Sequence, residues 1–141
     1  PPVNIIQVSE ANWDYVHKAM QDVVHNIRGT AQKINRGLNY HIAGKTGTAQ
    51  EVGIKQDEEY DAELVAKRNR DHALFIAFAP VENPKIAVSV IVENGEHGSS
   101  AAAPVARQII DAYMKYYPEA LADLTGQQSL RAGVQRAGGQ E

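Results

Sequence analysis

The chain has 141 residues, 43% of them apolar and 22% charged, an ordinary globular composition with length enough for one domain with a real core. A net charge of −3 with both signs interspersed points to no nucleic-acid partner, and the absence of cysteine excludes disulfides and thiol chemistry while leaving the redox compartment open. No apolar run approaches the roughly 18 residues of a membrane helix, and Pro1-Pro2-Val3-Asn4 has neither an initiator Met nor a signal-peptide pattern, so the chain reads as a fragment or a processed piece.

A helix is predicted from about Ser9 to Asn26. Ser9 suits the N-cap, and Glu10 and Asp14 suit the positive end of the helix dipole. Trp13, Val16, Met20, Val23, Val24 and Ile27 recur at helical spacing and predict the buried face, and Gly29 is expected to end the helix. A polar stretch beginning Gly29-Thr30-Ala31 leads to a strand from Tyr40 to Gln50. Glu51 to Asp71 reads as a solvated excursion, with an acidic cluster at Glu58, Glu59, Asp61 and Glu63 and a short helix around Ala62 to Arg68.

Strands from His72 to Pro80 and from Lys85 to Glu93 follow, joined by the turn Val81-Glu82-Asn83-Pro84. The second is apolar at nearly every position, which predicts cover on both its faces. Asn94-Gly95-Glu96-His97-Gly98 reads as a flexible glycine turn. A last helix, Ser100 to Tyr117, tolerates Pro104 near its first turn, buries Ala106, Ile109, Ile110, Tyr113 and Tyr117, and stops at Pro118. Residues 125–141 read as a mobile tail behind a domain piece of residues 1–124. The order helix, strand, strand, strand, helix predicts an α+β fold, an antiparallel sheet covered by helices.

The chemistry concentrates in Gly44-Lys45-Thr46-Gly47-Thr48-Ala49-Gln50 on the first strand. A Lys-Thr-Gly triplet is one of three motifs that build the site of penicillin-binding proteins and serine β-lactamases. The Lys45 ammonium supplies charge and donors to a peptide carboxylate, and the hydroxyls of Thr46 and Thr48 supply more. Gly47 has no Cβ, so a ligand backbone can approach and pair with the strand edge. A backbone N–H near Thr48 is placed to meet a developing oxyanion.

Taken together, several runs resemble the class B penicillin-binding proteins of the Gram-negative cell-elongation type. They are Gly29-Thr30-Ala31, Ala43 to Gln50, Arg70 to Pro80, Val92-Glu93-Asn94-Gly95 and Ala102 to Arg107, in that order, and the likeness extends over about Trp13 to Tyr117. The resemblance implies a five-stranded antiparallel sheet with helices on both sides and an all-helical lobe. It implies a peptidoglycan D,D-transpeptidase in which a serine attacks the penultimate D-Ala of a stem peptide, and which β-lactams trap. By position, Lys45, Thr46, Gly47 and Thr48 would bind the substrate or β-lactam carboxylate, with the Thr48 N–H as half of the oxyanion hole. It also implies a membrane anchor, a periplasmic catalytic domain and a lipid-linked glycan polymerase as partner.

The family's Ser-x-x-Lys and Ser-x-Asn motifs are absent from these residues. Both precede the Lys-Thr-Gly strand in the family, so the nucleophile is expected on an N-terminal remainder of the same protein, leaving this piece inactive alone. A D,D-carboxypeptidase or β-lactamase shares the motif with water as acceptor, and a non-catalytic penicillin-recognising sensor is the rival from another class. The residues call for no cofactor. His17, His25 and His41 read as surface or packing residues, His72 and His97 lie too far from a second ligand for a metal, and Trp13, Tyr113, Tyr116 and Tyr117 read as core or boundary contacts.

Overall fold

The computed structural model describes residues 8–50 and 70–122. In chain order these are helix α1 (Glu10–His25), a 3-10 turn (Gln32–Asn35), strands β1 (Ala43–Ala49), β2 (His72–Ala79) and β3 (Ile86–Val92), a π-helical turn (Gly98–Ala102) and helix α2 (Ala103–Tyr116). The predicted short helix at Ala62 to Arg68, the acidic cluster and the tail from residue 125 lie outside the described residues.

Ser9 caps α1 as its chemistry predicts: its backbone is extended and its hydroxyl accepts from the Asn12 N–H at 3.4 Å. The helix ends at His25, with Asn26 extended as C-cap, so Gly29 does not terminate it. Gly29 serves the reversal that follows. A Cβ there would strike the carbonyls of Asp22 and Val23, and its absence lets the chain fold back so that the Ala31 N–H donates to the Val23 carbonyl at 2.9 Å. The earlier ending also corrects the apolar stripe. Ile27 falls beyond the helix and is 88% exposed, and Val16 is 47% exposed, while Val24 is buried.

The strands form one antiparallel sheet in the order β1-β2-β3. Register places Lys45 opposite Ile76, Thr46 opposite Phe75 and Gly47 opposite Leu74. Alternation then separates the two faces. Ala73, Phe75, Ala77 and Ala79 are buried on one, with Val90 of β3 and with Ala103, Ala106, Ile110 and Met114 of α2, which lies against β2 and β3. On the other face Ile76 is 49% and Ile91 63% exposed. The expected double cover of β3 is therefore corrected: Ala87, Ser89 and Ile91 are exposed among the described residues. β-Branched side chains favour extended backbone whether or not anything lies over them. In α2 the buried row runs through Met114, and Ile109 and Tyr117, predicted to be buried, are 44% and 50% exposed.

Two side-chain networks fix the base of β1. The Ile42 N–H donates to Nε2 of His25 at 3.0 Å, and the Val81 N–H donates to the His41 carbonyl at 3.0 Å. The rings of His25 and His41 meet edge to face with centroids 4.9 Å apart, and Nδ1 of His41 pairs with the Glu82 carboxylate. Burial, with His41 beside it, holds the His25 imidazole below its ordinary value of 6.5. On the α2 side, the Tyr40 hydroxyl donates to Asp111 at 2.6 Å and Nε of Arg107 donates to the same carboxylate at 2.7 Å. Nη1 of Arg107 donates to the carbonyls of Ile34 and Arg36, tying the 3-10 turn to α2. Burial, reinforced by Asp111, pushes the Tyr40 phenol far up. Gly44 lies under the core ring: a Cβ there would come within 2.6 Å of the Phe75 ring and 2.9 Å of the Ile76 carbonyl.

Two expectations follow from this base. Gly44→Ala forces the Phe75 ring or β2 to move and lowers stability by about 1–3 kcal/mol in chemical denaturation, the range for overpacking a closed core. His25 binds a proton less readily folded than unfolded, so its contribution is complete above about pH 6.5 and is lost as pH falls below that. Denaturation midpoints measured from about pH 7.5 down to about pH 5.5 should fall, and His25→Gln should flatten the slope.

Candidate functional site

The chain leaving β3 turns back over β1, and its backbone is held there under strain. Asn94 and Glu96 both adopt left-handed conformations, with φ 56° and 62°, each costing on the order of 1 kcal/mol for a residue with a Cβ. The Asn94 N–H donates to Nδ1 of His72 at 3.0 Å, its side-chain amide donates to the Arg70 carbonyl at 3.1 Å, and the Glu96 N–H donates to the Asp71 carbonyl at 2.8 Å. These bonds offset the strain and fix the loop to the residues that open β2. His72 thus holds a turn rather than facing a ligand.

The loop then seats on the motif strand. Gly98 is buried, and a Cβ there would strike the Leu74 carbonyl and come within 2.9 Å of the Gly47 carbonyl oxygen and 3.1 Å of its nitrogen. Only a glycine lets the two backbones meet at this distance. The Thr48 hydroxyl donates to the Glu96 carbonyl at 3.3 Å, a second tie between strand and loop.

Between strand and loop lies an open cleft of about 380 Å³. Lys45, Thr46, Gly47 and Thr48 form its floor, His97, Gly98 and Ser99 its wall, and Thr30 its end. All four residues predicted from the motif therefore come together at one cleft. Lys45 is exposed, and Nζ donates to the Thr46 carbonyl at 2.7 Å, leaving two of its donors without a partner among the described residues. The hydroxyls of Thr30 and Thr46 are 3.2 Å apart and share one hydrogen bond, which leaves the second hydroxyl hydrogen available. A larger hollow, about 490 Å³, opens beside Gln32, Lys33, Asn35 and Arg36, but it presents the side chains of a single turn and none of the motif.

Motif reasoning identified the floor and missed the wall. His97 and Gly98 read as part of a flexible turn and Ser99 carries no reading, whereas the structure seats all three along the cleft. The available signal was a glycine followed by the small residues Ser99 to Ala103, a composition suited to close backbone approach. His25 and Tyr40, whose ionisation the fold displaces, lie at the base of β1 and outside the cleft lining.

Residues 1–111 match the penicillin binding protein transpeptidase domain family. The chain is 43% identical over 114 residues to the peptidoglycan D,D-transpeptidase MrdA of Haemophilus influenzae, a match covering 81% of this chain and 17% of that protein. Among solved structures it is similar to Pseudomonas aeruginosa PBP2 in complex with WCK 5153, at 48% identity and a TM-score of 0.63, over 81% of this chain and 23% of that one. It is also similar to PBP2 of Helicobacter pylori, solved in complex with MreC, at 28% identity and a TM-score of 0.60, over 82% of this chain and 21% of that one. The chain thus spans 17% of the length of that curated relative. With a strand motif of this kind, an antiparallel sheet backed by a C-terminal helix and a family match over most of its residues, the chain belongs to the penicillin-binding protein transpeptidase domain family.

Proposed function

We propose that this chain supplies the Lys-Thr-Gly wall of a peptidoglycan D,D-transpeptidase whose serine nucleophile comes from sequence outside these residues. The observation that carries the reading is the gathering of Lys45, Thr46, Gly47 and Thr48 along one cleft that a glycine-seated loop closes on its far side. In this reading Lys45 and the free hydroxyl hydrogen of the Thr30–Thr46 pair hold the C-terminal carboxylate of a D-Ala-D-Ala stem peptide, or that of a β-lactam. The Thr48 hydroxyl hydrogen is already directed to Glu96, so Thr48 contributes through its backbone N–H at the oxyanion.

The reaction is two acyl transfers. The serine oxygen bonds to the penultimate D-Ala carbonyl carbon, the C–N bond breaks, and the terminal D-Ala leaves with the serine proton. An amine of a second stem then attacks the ester, forms the cross-link amide and returns a proton to the serine oxygen. Nothing in this chain offers Ser-x-x-Lys or Ser-x-Asn, so the nucleophile and its base belong to the remainder of the protein, and this chain by itself is inactive. Among the described residues no helix is long and apolar enough to cross a membrane. The anchor, the periplasmic setting, and partnership with a lipid-linked glycan polymerase and the elongation machinery are part of the same proposal, supported by likeness to a PBP2 solved with MreC.

Labelling with a fluorescent penicillin tests the reading. The full-length protein containing this chain should be labelled, and the isolated 141-residue chain should not. Lys45→Ala should slow acylation about a hundredfold at an unchanged melting temperature, the scale for losing one charged contact in an acyl-transfer site. An undiminished rate would remove Lys45 from the site. Gly98→Ala deletes no ligand contact yet forces the loop off Gly47, so a loss of about tenfold or more in the same assay would identify loop seating as a requirement for the cleft.

A further inference from the structure

The wall of the cleft carries one titratable side chain, His97, that the proposed reaction does not use. Its backbone is fully committed: the N–H donates to the Gly95 carbonyl at 2.7 Å, and the carbonyl accepts from the N–H groups of Ser100 at 3.2 Å and Ala101 at 3.0 Å. The residue before it, Glu96, is fixed in a left-handed conformation by the Asp71 carbonyl and by the Thr48 hydroxyl. The one group His97 has left to offer is its imidazole, and the residue is exposed at the cleft. The imidazole has no hydrogen-bond partner among the described residues, in contrast to His25, His41 and His72, each of which is engaged through its ring.

The charges around the cleft favour an acidic group at that position. No acidic side chain is among its lining residues within the described parts of the chain, and Lys45 contributes an ammonium. The nearest carboxylate on the loop, that of Glu96, is drawn 3.5 Å from the Arg70 guanidinium. A ligand whose terminal carboxylate sits at Lys45 therefore meets a second donor across the cleft rather than a repelling charge.

We infer that His97 is a specificity-determining residue, selecting peptides and β-lactams that carry a side-chain carboxylate in addition to the one held by Lys45. The inference rests on the transpeptidase reading. It predicts discrimination between ligands, which a purely structural role for the loop would not produce.

The test uses the full-length protein and two penicillins identical except for a carboxylate or a carboxamide on the acyl side chain. The unaltered protein should be acylated about three to five times faster by the acid than by the amide, the scale of one exposed charged contact. His97→Ala should bring that ratio to about one at an unchanged melting temperature, and His97→Lys should keep or raise it. Lys45→Ala should slow both ligands by the same factor. A ratio unaltered by His97→Ala, or no preference in the unaltered protein, overturns the inference while leaving the transpeptidase reading in place. Failure of both penicillins to acylate the unaltered protein overturns that reading, and the inference with it.

Discussion

The cleft depends on a meeting of two backbones. Gly98 rests on Gly47 and on the Leu74 carbonyl with no space for a single methyl between them. Everything that lines the far wall takes its position from this contact, because His97 and Ser99 flank the seated glycine. The contact is short and carries no side-chain attraction, so other interactions must hold the loop in place. Those interactions come from the start of β2 and the residue before it: His72 accepts from the Asn94 backbone, and the Asp71 carbonyl accepts from that of Glu96. Two left-handed residues are thereby kept in conformations that an unrestrained loop would leave. A site built this way is set before a ligand arrives, which is the condition for polar groups to act without reorganising.

The strand is treated differently along its length. Its base is gripped on one side by His25 and on the other, through Tyr40, by Asp111 and Arg107 of α2. Its far end is tied to the loop through Thr48. The residues between carry the donors, and each already has an internal acceptor or partner: Lys45 on the Thr46 carbonyl, Thr46 on Thr30. These are single bonds made by groups with further capacity. Such bonds orient the donors without consuming them, and they lower the rotamer entropy that a ligand would otherwise have to remove.

Much of this was legible in the sequence. The Lys-Thr-Gly strand, the two strands after it and both helices follow from periodicity, turn chemistry and a Ser9 cap, and the structure places them in that order. What periodicity could not give was which apolar residues are covered. Ile91, Ile109 and Ile27 each sit where the pattern predicts burial, and each is exposed among the described residues. A stripe records which side chains burial would stabilise, while cover depends on where other segments lie, a tertiary fact. The wall of the cleft escaped for a different reason. Glycine signals both freedom and close approach, and only the neighbouring backbone, here Gly47 and Leu74, distinguishes the two at Gly98.

That distinction has a consequence for electrostatics. Had Asn94 to Gly98 been a free turn, the Glu96 carboxylate could sample the cleft and compete with any anion for Lys45. Fixed as it is, the loop turns the Glu96 carbonyl to Thr48 and its carboxylate to Arg70, on the side where β2 begins. In a chain with a net charge of −3, an anion site cannot rely on the overall field and must be made locally. Among the described residues, the structure makes it by pairing the Glu96 carboxylate with Arg70 and leaving the Lys45 ammonium accessible. The backbone seating of Gly98 and the local charge of the cleft are therefore one design: the first holds the second in place.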